Sequence, residues 1–438
     1  MNKKISNWSN YPIRETEFVT WNGTLKDDAK KSIPRGMGRC YGDASISDRT
    51  ISMLKHNLIL AFDEEKGIVK CQSGVTLKEV LDVFVPRGWF LPVTPGTKYI
   101  TVGGALASDV HGKNHHVDGC FGDHVDSIEL IQSNGVKMAC SAQENQEIFN
   151  ATRGGMGLTG IVETVTFRLK KIETSFIKQK QIKARSLPEI LALFDEYKGH
   201  TYSMSWIDCL KGGKGFGRSI MMAGEHASVE DLTHSQRQQP LNTGKGNLIN
   251  MPINLPSFAL NKLSIKAFNA LYYAKNTKKE IENVVHYDGF FYPLDSILNW
   301  NRMYGKAGFV QYQFVLPLGT SKEGLEEILN QIRIKGWGSF LAVLKLFGKQ
   351  DSLISFPMEG YTLALDFPIR KGLFEFLDEL DKIVLEKGGR IYLSKDARMQ
   401  SKAFWEGYPN AKKFQSIIRK INPDYRLYSD LFKRLHFN

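Results

Sequence analysis

The hydrophobic pattern of the first 170 residues predicts short strands that alternate with helices. The segment IVKCQS predicts a strand, and Thr76 and Glu79 then form a capping box that starts a helix. Residues 125–140 predict a hairpin, because alternating apolar residues flank Asn134-Gly135, a pair that tolerates the positive φ angles of a type I′ turn. This part of the chain is therefore predicted to mix helices and strands.

After about residue 176 the pattern changes to longer units, in which a helix is followed by a strand. The pairs are 321–336 with 339–348, and 371–389 with 390–396. The second helix carries a stripe of apolar side chains, which consists of Leu373, Leu377, Leu380 and Val384. Such units predict a second domain in which helices cover one face of a sheet.

Two consecutive segments are less regular. Residues 226–257 lose periodicity, and their mixture of Gly, Pro and polar residues predicts a mobile loop. Residues 257–279 are apolar and basic. They suit a substrate lid, a membrane-touching helix or an ordinary amphipathic helix packed on the core, and the sequence does not separate these alternatives.

Composition indicates a folded chain of two to three domains, with 438 residues of which 42% are hydrophobic. The net charge of +12 attracts polyanions in general, but no arginine-rich arm indicates nucleic acid. Five scattered cysteines show no zinc-site spacing and predict reduced thiols. No secretory signal and no apolar run of about 18 residues is present, so we expect a cytoplasmic protein or one peripheral to the inner membrane.

Three glycine-rich segments carry the candidate chemistry, namely 35–43 (RGMGRCYGD), 95–105 (PGTKYITVGGA) and 154–160 (GGMGLTG). Each offers backbone N–H groups without an obstructing Cβ atom, which suits a pyrophosphate or the edge of a flavin ring. None is the GxGxxG of a nicotinamide-binding unit or the GxxxxGK[ST] of an ATP-binding loop. Those two nucleotide folds are therefore disfavoured.

A histidine cluster, SDVHGKNHH, follows the second glycine-rich segment. Gly112 interrupts the cluster and no carboxylate partner is evident, so a metal site is disfavoured. His115 and His116 are predicted to be structural. His111 directly follows the glycine-rich turn and is the better functional candidate.

In this order, the glycine-rich segments resemble the FAD domain of the vanillyl-alcohol-oxidase/p-cresol-methylhydroxylase superfamily. More narrowly, VGGALASDVHGKNHHVDGCFGDHVDSIEL, FYPLDSILNWNRMYGKAGFVQYQFVLP, VLKLFG and YLSKDAR resemble the decaprenylphosphoryl-β-D-ribose 2′-oxidase family. The resemblance runs from about residue 33 to near the C-terminus. It implies an α+β flavoprotein with a FAD-binding domain (1–175), a substrate-binding domain (176–390) and a C-terminal segment that returns to the FAD domain (391–438).

The resemblance implies FAD-dependent oxidation of the 2′-hydroxyl of a polyprenylphosphate-linked ribose to a ketone. An NAD(P)H-dependent short-chain reductase would then complete the epimerisation to arabinose. Related sugar oxidases attach flavin to a histidine at the position of Arg39, and the segment LPVTPGTKYITVGGA lacks the cysteine of a second link, so non-covalent FAD is expected. The residues implied to surround FAD are Gly36, Met37, Gly38, Arg39, Cys40, Tyr41, Pro95, Gly96, Thr97, Val102, Gly103, Gly104, Ala105, His111, Gly112, Gly157, Leu158, Thr159, Ile161 and Tyr392.

The substrate side is predicted partly from periodicity. Gln311 and Gln313 fall on one face of a predicted strand, and two amides on one face suggest recognition of hydroxyl groups. Lysines are ordinarily exposed. The resemblance nevertheless implies that Lys345 and Lys395 face flavin and substrate, and that Lys113 lies near the phosphate.

Four further expectations complete the prediction. Tyr41 is expected to contact substrate as well as FAD. His111 and a deprotonated Lys395 are both candidates for the base, and the sequence does not rank these two residues. Where mycobacterial members carry a cysteine this chain has Ala364, so inhibitors that trap that thiol should form no adduct. The alternatives are a soluble aldonolactone or alditol oxidase that uses oxygen, a flavin-retaining binding protein without turnover, and a basic polyanion-binding module.

Overall fold

The structure is a computed structural model that describes residues 1–25, 28–244, 249–256 and 259–438. Three main sheets of four, five and eight strands combine with helices, which confirms the predicted α+β class. In these ranges, no helix has both the length and the apolar run that are required to span a bilayer.

The N-terminal part contains the four-stranded and the five-stranded sheet. The first four strands are Asn2–Ile5 (β1), Arg14–Thr20 (β2), Ser32–Arg35 (β3) and Arg49–Ser52 (β4). They pair in the order β1-β2-β4-β3. The elements that follow are Ile59–Asp63 (β5), Ile68–Gln72 (β6), Leu77–Phe84 (α1), Trp89–Phe90 (β7), Val102–Ala107 (α2), His115–Asp118 (α3), Val125–Ile131 (β8), Lys137–Ser141 (β9), Gln146–Thr152 (α4), Ile161–Arg168 (β10) and Lys170–Lys171 (β11). The five-stranded sheet has the order β5-β6-β10-β8-β9.

The local signals of this part are confirmed, with one correction. Thr76 and Glu79 form the predicted capping box at the start of α1. The hairpin of β8 and β9 is also present, but the predicted type I′ turn is wrong. Of the central pair only Gly135 has a positive φ, 85°, and its N–H donates to the carbonyl of Gln132. A three-residue loop that ends in a glycine bulge joins the strands instead, because one glycine suffices for the left-handed position.

The middle of the chain forms the eight-stranded sheet, in the order β16-β12-β14-β13-β19-β20-β18-β21. Its elements are Phe176–Ala184 (β12), Leu187–Glu196 (α5), Tyr202–Ile207 (β13), Ser219–His226 (β14), His234–Arg237 (α6), Ile249–Asn250 (β15), Lys262–Lys275 (α7), Glu280–His286 (β16), Tyr287–Phe291 (α8), Ile297–Leu298 (β17), Phe309–Pro317 (β18), Leu318–Lys335 (α9), Ala342–Phe347 (β19), Gly360–Pro368 (β20), Leu373–Glu386 (α10) and Arg390–Ile391 (β21). The short strands β15 and β17 pair separately, in parallel.

Helices cover one face of this sheet, as predicted. The apolar stripe of α10 is fully buried, and it packs with α5 and α9 against the inward side chains of the strands. Because neighbouring side chains on a strand point to opposite faces, the alternate residues face the other way. These alternate residues form one wall of the cavity described below.

The two irregular segments are described in part, since residues 245–248 and 257–258 lie outside the described ranges. In the described part of 226–257, regular structure is confined to the last residue of β14, the helical turn α6 and the two-residue strand β15. Mobility of this loop stays a prediction. Residues 262–275 form helix α7.

The C-terminal residues form three helices, Ser401–Gly407 (α11), Ala411–Ile421 (α12) and Asp430–Arg434 (α13). They contact the N-terminal part through a parallel bridge between Ser32 and Leu427. The Arg434 guanidinium on α13 also binds the carboxylate of Asp43. The domain boundaries at 175 and 390 stay predictions, and β21 lies across the second of them.

Candidate functional site

A cavity of about 710 Å³ lies between the glycine-rich segments and the uncovered face of the eight-stranded sheet. Small-molecule and cofactor sites typically enclose about 300–1,000 Å³. The cavity brings together most of the predicted cofactor residues, which are Gly36, Met37, Gly38, Arg39, Cys40, Tyr41, Pro95, Gly96, Thr97, Gly103, Gly104, His111, Gly112, Gly157 and Tyr392. All five predicted substrate residues line it too, namely Tyr41, Lys113, Gln311, Gln313 and Lys345, together with Lys395.

Five of the predicted cofactor residues do not line the cavity. Each is next or close to a lining residue, but on helices and in tight turns neighbouring side chains point in different directions. Their side chains are fully buried in the interior instead, so a role in FAD binding stays a prediction for Val102, Ala105, Leu158, Thr159 and Ile161.

Close packing explains two of the glycines. A Cβ atom on Gly36 would lie 2.2 Å from Oγ1 of Thr101, and one on Gly103 would lie 2.7 Å from Cβ of Ser73. Thr101 caps helix α2, since its Oγ1 accepts from the N–H of Gly104. The first two glycine-rich segments therefore approach each other closely at these positions, which only residues without a side chain permit.

Arg39 of the first glycine-rich segment lines the cavity. Its guanidinium stacks on the Trp8 ring, 3.9 Å from the ring centroid. Burial lowers the pKa of this guanidinium. Its Nε atom is buried and has no hydrogen-bond partner among the described residues, which leaves a donor for a bound anion.

Hydrogen bonds fix the tautomer of His111. The Thr362 hydroxyl donates to the carbonyl of Phe314 at 2.8 Å and therefore accepts from the Gln313 amide at 3.2 Å. The same amide nitrogen lies 3.1 Å from Nε2 of His111, so that Nε2 must accept. The ring proton is thus on Nδ1, which is buried and has no partner among the described residues.

Burial lowers the pKa of His111 well below its usual value, and the nearby charge of Lys345 acts in the same direction. His111 is therefore neutral at physiological pH. The aromatic rings of Phe347, Phe356 and Tyr392 surround it. The imidazole therefore lines the cavity with an Nδ1–H donor that has no partner among the described residues.

Lys395 lies over the ring of Tyr41, with Nζ 3.9 Å from the ring centroid. Removal from bulk water lowers the pKa of Lys395 to about 7, although the negative charge of Asp366 acts to raise it. Asp366 is buried and accepts from Gln311 at 2.6 Å and from the Tyr304 hydroxyl at 3.0 Å. Lys395 can therefore change its protonation state near neutral pH.

Two further lysines line the cavity. The Lys113 ammonium donates to the carbonyl of Phe290 and lies 4.1 Å from the centroid of that ring. Desolvation lowers the pKa of Lys113 to about 7 and the pKa of Lys345 to about 8. Neither ammonium forms an ion pair with a described carboxylate. The cavity thus presents cationic groups that lack a counterion within the described protein.

The other two histidines have structural contacts, and no cluster that could hold a metal ion occurs among the described residues. His115 accepts from the N–H of Gly348 through Nδ1. His116 donates from Nε2 to the carbonyl of His200 at 2.9 Å. The structural role expected of these two side chains stays a prediction.

Three residues of the site that sequence reasoning missed are informative. Asp366 pairs directly opposite Gln311 across β18 and β20, and period-two alternation from Ala364 would have placed it on the same face. Trp206 and Tyr272 also line the cavity, with ring centroids 4.7 Å apart. No local sequence signal marks these two, because strand β13 and helix α7 meet only in the folded chain.

The lining residues fit FAD. The glycine-rich lining and the guanidinium of Arg39 suit a pyrophosphate, and the aromatic and amide groups around His111 suit a flavin ring. These residues would hold the cofactor between the glycine-rich segments and the sheet.

Comparison with known proteins agrees with this chemistry. Residues 14–141 match the FAD binding domain family. The decaprenylphosphoryl-β-D-ribose oxidase of Mycolicibacterium smegmatis is 37% identical over 92% of this chain and 88% of that protein. An uncharacterized protein in the mprA 5′ region of Streptomyces coelicolor is 30% identical over 82% of this chain and all of that protein. The L-gulonolactone oxidase of Mus musculus is 30% identical over 34% of each chain.

The match to the first of these relatives covers 92% of this chain, far more than the FAD binding domain alone. FAD is therefore the cofactor of this chain, and the fold is that of the vanillyl-alcohol-oxidase type. The chain belongs to the decaprenylphosphoryl-β-D-ribose oxidase family.

Proposed function

We propose that this protein oxidises the 2′-hydroxyl of a polyprenylphosphoryl-β-D-ribose to the 2′-keto sugar, the first half of epimerisation to an arabinose donor. The observation that carries the proposal is the combination of family membership with two cavity lysines that form no ion pair with a described carboxylate, Lys113 and Lys345. An anionic, hydroxyl-bearing substrate is the complement of such a cavity.

FAD, bound non-covalently, supplies the hydride acceptor. The base that takes the hydroxyl proton is Lys395 in our proposal. Its pKa of about 7 leaves a large neutral fraction at physiological pH, which suits a general base. The ring of Tyr41 contacts the amine. Burial raises the pKa of the Tyr41 hydroxyl well above its usual value and so keeps this group protonated.

His111 is the weaker candidate for the base. Its Nε2 already accepts from Gln313, and burial together with Lys345 strongly disfavours the imidazolium form. The Nδ1–H group is instead a donor without a partner among the described residues. We assign His111 the role of orienting an oxygen of the cofactor or substrate.

The remaining lining residues divide by chemistry. Gln311 and Gln313 each use their amide nitrogen within the protein, which leaves the amide oxygens for substrate hydroxyls. Lys113 and Lys345 would bind the phosphate, as charge-assisted donors.

The proposal includes two partners. The keto product is a substrate for an NAD(P)H-dependent short-chain reductase, which would complete the epimerisation. Because a polyprenyl tail holds the substrate in a bilayer, peripheral membrane contact is also part of the proposal.

The test is the absorption spectrum of the purified protein without oxygen, before and after addition of polyprenylphosphoryl ribose. Loss of the oxidised-flavin band with this substrate, and not with free sugars, supports the proposal. Bleaching by a free aldonolactone or alditol would identify the soluble oxidase instead. A yellow protein that none of these compounds bleaches would be a flavin-retaining binding protein.

Replacing Lys345 with Met should weaken binding of the phosphorylated substrate by about 10- to 100-fold, the usual contribution of a hydrogen bond to a charged group. The limiting rate should change less, because Lys345 is not the proposed base. Wild-type affinity should fall as the pH rises through about 8, where the ammonium loses its proton. Anaerobic titration at several pH values measures both effects.

The exposed Lys371→Met variant is the matched control. Equal affinity of the Lys345→Met variant and wild type would exclude Lys345 from the phosphate site.

Thiol-directed inhibitors that trap the cysteine of mycobacterial relatives should form no adduct with this chain. Ala364 lines the cavity at that position, opposite Gln313 in the strand pairing. The Ala364→Cys variant should gain one adduct, seen as a single mass increase in intact-protein mass spectrometry. An adduct on wild type that maps to Cys40, which also lines the cavity, would contradict this prediction.

A further inference from the structure

Helix α7 turns an apolar stripe towards solvent. Leu263 and Leu271 are 78% and 73% exposed. At about 100° per residue they share one face of the helix with three exposed alanines, which are Ala267, Ala270 and Ala274. This helix is therefore not an ordinary amphipathic helix with its apolar stripe packed on the core.

The opposite face holds α7 to the protein. Ile265 and Asn269 are buried there, and the Asn269 amide donates to the carboxylate of Asp208 at 3.0 Å. Tyr272 lies on the same inner side and lines the cavity beside Trp206. Helix α7 is thus part of the cavity wall, with its stripe on the outside.

A positively charged surface surrounds the stripe. Lys262 and Lys266 flank it on one side and Lys275 on the other, and none forms an ion pair with a described residue. Residues 232–279 contain seven Lys or Arg and no Asp or Glu, although the whole chain has 46 acidic residues among 438. A helix with apolar side chains outward and lysines at the border of that face suits an anionic lipid interface.

Exposed apolar residues of β15 and β17, at the other edge of the cavity, extend this surface. Leu298 on β17 lines the cavity and is 39% exposed, and Ile249 on the paired strand β15 is 68% exposed. Ile297 packs in the same aromatic cluster as Phe340, which contacts Phe268 of α7. Exposed apolar side chains therefore occur on both sides of the cavity at this end.

We propose that the outer face of α7 docks on a membrane that contains anionic lipid, with Leu263 and Leu271 inserted at the headgroup level. Docking would place the Tyr272 end of the cavity at the bilayer surface, so that a lipid-linked sugar enters with little exposure of its tail to water. The benefit to turnover rests on the proposed function, whereas the docking itself does not. A second copy of the chain is a poorer occupant, because a symmetric contact would bring the lysines of one copy against those of the other.

Flotation of the FAD-loaded protein with lipid vesicles tests the proposal. Wild type should bind vesicles of phosphatidylcholine with phosphatidylglycerol, bind vesicles of phosphatidylcholine alone weakly, and lose affinity at high salt. The Leu263→Glu/Leu271→Glu variant should bind the anionic vesicles about tenfold more weakly or worse. The matched control is Ile13→Glu/Leu58→Glu, which changes two side chains of similar exposure, 65% and 61%, away from α7.

Wild-type protein that does not float with anionic vesicles would overturn the proposal. So would equal binding by the α7 variant and wild type, or equal loss in the control variant. If wild type is instead a dimer that the α7 variant separates in analytical ultracentrifugation, and vesicles are not bound, the face is a contact between copies.

Turnover separates this inference from the proposed function. The α7 variant should be slow only on substrate embedded in vesicles and unaffected on a short-chain, water-soluble analogue. If wild type bleaches with neither substrate but still floats, the proposed function fails and the docking surface stands.

Discussion

Replacing Lys395 with Met should slow anaerobic reduction of the bound FAD by about 10²- to 10⁴-fold, the usual contribution of a positioned general base. The Lys395 amine lies over Tyr41 at 3.9 Å, and desolvation brings its pKa to about 7. The neutral amine is the active form, so the wild-type rate should rise as the pH increases through about 7. The variant should lose this rise. Stopped-flow absorbance across the pH range measures both.

Two further variants make this prediction specific. Lys402→Met removes an exposed lysine a short distance along the chain and should leave the rate unchanged. His111→Gln should slow the reaction but keep the rise with pH, since His111 stays neutral throughout. If the rate of His111→Gln no longer depends on pH while the rate of Lys395→Met still does, the base is His111 and not Lys395.

Replacing Arg434 with Met should lower the free energy of unfolding by about 3–5 kcal/mol, because the change removes the guanidinium that binds two buried carboxylates. The guanidinium binds both oxygens of Asp43 at 2.9 Å and one oxygen of Asp396 at 2.8 Å. Asp43 ends the first glycine-rich segment, and Asp396 directly follows Lys395. We therefore expect weaker FAD retention as well as a lower urea midpoint.

The pH dependence of this ion network has a definite sign. Although burial acts to raise it, Arg434 and Arg398 hold the pKa of Asp396 below its usual value. The ion network therefore stabilises the folded protein at pH values above the usual pKa of an aspartate. This stabilisation is lost as the pH falls through the lowered pKa of Asp396. Lys433→Met changes the preceding, exposed residue of α13 and is the matched control. Equal urea midpoints for the Arg434 and Lys433 variants would show that the network contributes little.

Local sequence patterns were sufficient for much of the fold. The apolar stripe of α10 and the capping box of α1 depend on residues three or four apart, and both are present. The glycine-rich segments could be assigned to a cofactor because backbone access depends on the residue type itself. Alternation along β18 also placed Gln311 and Gln313 on the cavity face.

Helix α7 shows where local patterns stop being sufficient. Its sequence carries an apolar stripe, which is equally consistent with packing against the core and with contact with a membrane. The buried Asn269 settles its orientation, because its partner Asp208 lies 61 residues away in sequence. Burial of an amide is favourable only where such a partner is already in place.

By itself the sequence determined the elements, the cofactor class and the residue types available to the site, since these depend on near neighbours and side-chain chemistry. Only the tertiary structure decided the roles within the site. The protonation of Lys395 follows from desolvation, and the His111 tautomer follows from Gln313, 202 residues away. Burial and long-range hydrogen bonds set these properties, and neither exists until the chain has folded.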